Sequence, residues 1–363
     1  MLHRLGARIR LNDEGQIHHI DVKDYQVNAG ALREFARFPA LRELELNAHA
    51  LTPEELDALG GLAGLRELHL HDVGLTDDGL KPIARLTGLK YLCLIKPDTR
   101  GRGFARLKGL AKLETLVLDM PDGARLPAHL AALASWKALR GLYLGQNRLT
   151  GKDLAGLDRL RQVEKLGLEG NPLRNGDLAR IAGLTGLKWL NLEDTGITGK
   201  GVDHLKGLRS LEVLRTRKMP NAEAATPWLA RLTSLRELAL PGSHGEGNLT
   251  DAGLARLATL TRLKTLNVQS QRLTDAGLVH MAGLAELEEL DLGYNGGIAG
   301  PGLEHLKRLP KLRRLKLDST GLTSAAVPLL KEFAGLEELG LFGTKIGERG
   351  LATLRRALPK ANI

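Results

Sequence analysis

A period of 24 residues runs through the chain and limits what it can fold into. The pattern L-x-x-L-x-L falls at Leu41-Leu44-Leu46, Leu65-Leu68-Leu70 and Leu89-Leu92-Leu94. Its first position recurs at Leu113, Leu139, Val163, Leu187, Leu211, Leu235, Leu263, Leu287, Leu312 and Leu336, and reaches back to Ile17, followed by Ile20 and Val22. That makes 14 units, with Lys360 opening a truncated fifteenth. Eleven of the 14 steps, counting the last, are 24 residues; the others are 26, 28 and 25. Such a period means a stack of small supersecondary units, which grows without a larger central core. Composition agrees: aromatics are 3% of 363 residues, fewer than a conventional core of that size would use.

In L-x-x-L-x-L the last two leucines alternate, so they share one face of a short strand. In the following L-x-x-L-x-x-L, apolar positions return every three or four residues, which is a helical stripe. Thr52-Pro53-Glu54-Glu55 reads as a capping box with proline at the first helical position. One unit's aliphatic side chains cannot offset the entropy of ordering its backbone, so stability comes from stacking on neighbours. Parallel strands stack about 4.8 Å apart and helices about 8–10 Å, so the stack is expected to curve with strands on the concave side.

The second half of the unit also recurs, as LTDDGLKPIARLTGL (75–89), LTDAGLARLATLTRL (249–263) and LTDAGLVHMAGLAEL (273–287). With the leucine ladder, this resembles the leucine-rich-repeat family, closest to its LTDxGL subclass, although that subclass's cysteines are absent. The resemblance covers residues 17 to 363. It implies an α/β fold: a right-handed, ribonuclease-inhibitor-like horseshoe of about 14 repeats, with a concave parallel sheet and convex helices. The expected layout is a single domain over 1–363. Ala7–Leu11 and Gln16–Val22 flank the turn-like Asn12-Asp13-Glu14-Gly15, so 1–16 reads as the N-terminal hairpin cap. Repeats fill 17–359, and 360–363 reads as a C-terminal cap strand, so that both ends look complete.

The single cysteine, Cys93, excludes an internal disulfide framework. Met1 to Arg10 holds no apolar stretch long enough for a signal peptide, and no run approaches the ~20 apolar residues that span a bilayer. A cytoplasmic protein is expected. The net charge of +10 is unevenly placed. Four positions per unit face the concavity: two, four, six and seven places after the first leucine. These 56 positions hold 15 acidic residues and 8 Lys or Arg, a net of −7, which leaves +17 for the rest. Phosphate favours Lys and Arg, so nucleic acid in the concavity is disfavoured and a basic protein partner favoured. Of 12 aromatics, Tyr91, Tyr143, Trp189, Tyr294 and Phe342 fall in this concave set. Exposed aromatics are the usual anchors of binding surfaces.

The ninth repeat, LEVLRTRKMPNAEAATPWL (211–229), breaks the rule. Thr216 takes an inward aliphatic position, and Arg215, Arg217 and Lys218 cluster there. Trp189, Glu193 and Asp194 lie one unit earlier, and an insertion, PGSHGEGN (241–248), follows as a loop. A partner-binding site is therefore expected at Tyr91, Tyr143, Trp189, Glu193, Arg215, Arg217, Tyr294 and Phe342. Nearer the N-terminus, His19, Asp21, Glu45, His69 and His71 offer metal-ligand types, and Asp21, Glu45, His69 and Cys93 should form one row across the sheet. No tight ligand spacing recurs, and a flat sheet suits tetrahedral geometry poorly, so no metal or other cofactor is expected. Leu92-Cys93-Leu94 also lacks the acidic neighbour of the bacterial ubiquitin-ligase effectors that carry these repeats.

No P-loop, dinucleotide fingerprint, GxSxG elbow or HExxH occurs. The expected function is a non-enzymatic protein-interaction scaffold: an adaptor, inhibitor or sensor. One alternative is an anionic-ligand binder that presents the basic convex face to nucleic acid or a membrane surface. Another is a ubiquitin-ligase-type substrate receptor, which would need an F-box-like helical segment that the 16 residues before the first repeat do not supply.

Overall fold

The structure, a computed structural model, describes residues 2–23, 27–47, 50–99, 102–120, 133, 135–217, 219–242 and 248–363. Lys218 and residues 243–247 of the insertion lie outside the described residues. The chain divides into two compact units, Met1–Pro172 and Leu173–Ile363.

The first unit opens with a hairpin: β1 (Arg8–Leu11) pairs antiparallel with β2 (Ile17–Val22). Six parallel strands follow: β3 (Glu43–Asn47), β4 (Glu67–His71), β5 (Tyr91–Ile95), β6 (Thr115–Asp119), β7 (Gly141–Tyr143) and β8 (Lys165–Gly167). The register is the one the leucine ladder predicts. Leu44, Leu68, Leu92, Leu116, Leu142 and Leu166 pair in one fully buried row.

The second unit repeats this with β9 (Trp189–Asn191), β10 (Val213–Arg215), β11 (Glu237–Ala239), β12 (Thr265–Asn267), β13 (Glu289–Asp291), β14 (Arg314–Lys316) and β15 (Glu338–Gly340). Its row runs through Leu190, Leu214, Leu238, Leu266, Leu290, Leu315 and Leu339. The terminal cap strand is reduced to one parallel bridge, Asn362 to Glu338.

The helical halves are shorter and tighter than the apolar stripe suggests. Among the described residues the longest α-helix is Glu348–Ala357, and many segments are 3₁₀. The same LTDAGL motif is α at Asp251–Leu257 and 3₁₀ at Asp275–Met281. A 24-residue unit that also holds a strand and two turns leaves room for about two helical turns, the length at which 3₁₀ geometry competes. Thr52 forms its capping box with Glu55. No helix among the described residues is long and apolar enough to cross a membrane.

Buried polar side chains stand where several of the strands end. Eight places after the first leucine stand Asn147, Asn171, Gln271 and Asn295, all buried. Asn171 Oδ1 accepts from the backbone N–H groups of Asn147 (3.0 Å) and Leu149 (2.9 Å), and its Nδ2 donates to the carbonyls of Leu144 (2.9 Å) and Leu168 (2.8 Å). Thr195, Thr320 and Thr344 make the reduced version, donating Oγ1 to Leu192, Leu317 and Leu341. One place earlier the chain turns left-handed in repeat after repeat, at Asp72, Lys96, Gln146, Asp194, Ser270, Tyr294 and Ser319.

Candidate functional site

The residues between the ladder's rungs face outward from the sheet. None of the eight expected binding residues lies in the core: Tyr91, Tyr143, Trp189, Glu193 and Arg215 are half-buried, and Arg217, Tyr294 and Phe342 are exposed. They fall into three groups.

In the second unit, the Arg215 guanidinium lies 6.0 Å from the centre of the Trp189 ring. On its other side Arg215 Nε donates to Glu237 Oε1 at 2.7 Å. The parallel register explains the row. Trp189 and Glu237 both pair with Val213, so each sits diagonal to Arg215, one on either neighbouring strand. Such diagonal neighbours are within reach of long and aromatic side chains. The hydrogen bond and charge of Glu237 raise the Arg215 pKa, with Glu193 adding to the effect. Arg217 pairs with Asp194 at 3.8 Å. Both described arginines of the cluster are therefore compensated, Arg217 by Asp194 of the preceding unit and Arg215 by a residue not anticipated from the sequence. Glu237 was findable from the register: two places after the tenth repeat's first leucine is diagonal to four places after the ninth's. Thr216, buried at the inward position, donates its hydroxyl to the Ala239 carbonyl at 2.8 Å, so its polar atom is satisfied.

The second group, four strands on, joins Tyr294 and Phe342 through Asp318. The Tyr294 N–H donates to the Asp318 carbonyl (2.7 Å) and the Phe342 N–H to its carboxylate (2.8 Å). Phe342 is 81% exposed. Tyr294 occupies the left-handed turn position at φ 59°, where two other repeats place Gly170 and Gly343. A bulky residue there is strained.

The third group is in the first unit. Tyr91 stacks on His69, ring centres 4.8 Å apart. The Tyr143 ring lies across two glycines: a Cβ on Gly141 would meet its Cε2 at 3.3 Å, and one on Gly167 its Cδ1 at 3.1 Å. Burial pushes the Tyr91 hydroxyl up to about 12, with Cys93, Tyr143 and Glu67 adding to it. The expected row is present: Asp21, Glu45, His69 and Cys93 pair in register across β2 to β5. His19 is buried, its Nδ1 3.0 Å from both Arg10 Nη2 and Glu43 Oε1. Burial, then the charges of Glu45 and Asp119, push the Cys93 thiol from 9.0 up to about 11. That lowers the thiolate fraction about 100-fold near neutral pH. The native thiol is expected to react with DTNB at pH 8 at least ~100-fold more slowly than the urea-unfolded chain; equal rates would contradict this burial.

No protein-family model matches the chain, and no curated protein is similar to it at a significant level. Among solved structures it is similar to an internalin from Listeria monocytogenes, at 20% identity over 94% of this chain and 78% of that one, with a TM-score of 0.52. It is also similar to a leucine-rich-repeat protein of Leptospira interrogans, at 19% identity over 94% and 99% of the two chains, with a TM-score of 0.57. The ladder, the parallel register and these likenesses define the class: the fold is a leucine-rich-repeat solenoid.

Proposed function

We propose that the protein is a non-enzymatic scaffold that binds another protein on the outward face of its sheet. The observation that carries this reading is the Trp189–Arg215–Glu237 row. An indole is held half-buried beside a guanidinium that is itself fixed by a carboxylate. Trp and Arg dominate the energetic centres of protein interfaces, and pre-ordering them lowers the entropy lost on docking. Tyr294 and Phe342 support the reading, because they present exposed aromatic side chains at the ends of strands. The acidic excess between the rungs fits a partner with a basic surface.

The test is affinity capture from the native cell with the wild-type chain and with Trp189→Ala combined with Arg215→Glu. One specific protein is expected to be captured by the wild type and held at least ~30-fold more weakly by the variant, whose thermal midpoint stays close to wild type. Retention of every captured protein by both chains sinks the choice of site. Capture of nucleic acid or anionic lipid instead, with binding that collapses between low and moderate salt, would favour the basic helical surface.

A further inference from the structure

The first unit carries a further cluster, separate from the Trp189 row of the second. On β4, His69 and His71 are two residues apart and so share a face; on β5, Cys93 pairs in register with His69. One ring nitrogen of each histidine and Cys93 Sγ lie within 4.8 Å of one another. The Nε2 atoms of both histidines are buried and have no hydrogen-bond partner among the described residues. Glu45, in register with His69 on β3, brings Oε1 to 3.8 Å from His71 Nε2, too far for a hydrogen bond.

We propose that His69, His71 and Cys93 bind one zinc ion, with Glu45 beside it as the available fourth ligand. Two imidazoles and one thiolate are a donor set that suits Zn²⁺. Tetrahedral bonds of about 2.0–2.1 Å to nitrogen and 2.3 Å to sulfur bring donor atoms about 3.5 Å apart. Side-chain rotation on two fixed strands covers the remaining distance. Leaving two buried imidazole nitrogens unbonded is costly, and it contrasts with the fully bonded Asn171 in the same unit. Stacking on Tyr91 fixes the plane of His69. Glu45 and Asp119 oppose a bare thiolate but attract a cation. Binding converts the Cys93 thiol to a thiolate and releases one proton to solvent. His69 also belongs to a group with Glu43 and Glu67, but that group has no sulfur donor and shares its imidazole with the first.

The experiment uses the full chain, stripped with EDTA and titrated with Zn²⁺ against a chromophoric chelator, then with Co²⁺. One ion per chain is expected, and the Co²⁺ form should show a thiolate-to-metal charge-transfer band. Cys93→Ser should abolish that band. Cys93→Ser and His71→Ala should each weaken Zn²⁺ at least ~10-fold, whereas His280→Ala, on an exposed helical position, should not. The wild-type Co²⁺ spectrum decides the matter even if a variant misfolds. No saturable binding, no charge-transfer band, or Zn²⁺ affinity unchanged in folded Cys93→Ser overturns the proposal.

Discussion

Asn171→Leu is expected to lower the unfolding free energy of the first unit by about 3–5 kcal/mol, with an unchanged urea m-value. Leucine has the same number of side-chain heavy atoms and the same branch point and matches the apolar surroundings, although its methyl groups are bulkier than the amide. The polar atoms decide the outcome. Asn171 is fully buried, and five backbone groups bond to its amide: the N–H groups of Asn147 and Leu149 and the carbonyls of Leu144, Leu168 and, at 3.3 Å, Glu169. Each group left unpaired in a dry interior costs about 1–3 kcal/mol, reduced where neighbours relax. Asn171→Thr provides the internal scale. Threonine at this place in other repeats keeps one bond, from its hydroxyl to the carbonyl three residues back. Its loss should be about half that of leucine. A leucine variant no less stable than the threonine variant would falsify the assignment of this amide as the strand terminator.

The leucine ladder was legible because two periods coincide in it. A period of 2 selects the strand face, a period of 24 selects the repeat, and a slip of either would expose every leucine. That is why Leu214 and Leu238 pair where the spacing places them. The ends of the strands were less legible. Asn147, Asn171 and Asn295 are single polar residues in an otherwise variable stretch, and only the bonds to the preceding repeat show what they do. The type of helix was not legible at all: Asp251–Leu257 and Asp275–Met281 share a motif but differ in hydrogen bonding, and apolar spacing does not separate α from 3₁₀ over two turns. At the site, Trp189 and Arg215 were visible as an aromatic and a cation at outward positions. Glu237 was legible too, as an outward anion on the diagonal that the register sets, but nothing in its own repeat marks it out. Likewise His69, His71 and Cys93 were visible as neighbours in the array, while the unbonded ring nitrogens emerged only from packing.

The recurring LTDxGL segment has a physical reason that predicts the second large effect. Its aspartate caps the turn of the next repeat: Asp77 Oδ1 accepts from the Gly103 N–H at 2.9 Å, and Asp275 Oδ1 from the Gly302 N–H at 2.8 Å, while Asp275 Oδ2 accepts from Ala299 at 2.9 Å. Such caps bring two backbones into contact, and only glycine leaves room. A Cβ on Gly302 would stand 2.7 Å from Asp275 Cα and 2.9 Å from its carbonyl carbon, and would press on its carbonyl oxygen. Those are main-chain atoms, which cannot rotate away as a side chain would. Gly302→Ala must therefore part the two repeats and stretch the Asp275 cap, for a loss of about 2–4 kcal/mol from overpacking and the weakened cap together. Asp275→Ala removes the cap without adding an atom and should lose about 1 kcal/mol. Gly283→Ala, where an added Cβ meets nothing within 4 Å, should stay within about 0.5 kcal/mol of wild type. Urea midpoints ranked in that order would mean that the motif's glycine makes room for the backbone it touches. Equal midpoints for Gly302→Ala and Gly283→Ala would mean that the repeats part easily, and the interlock of aspartate and glycine would not be what holds successive turns in place.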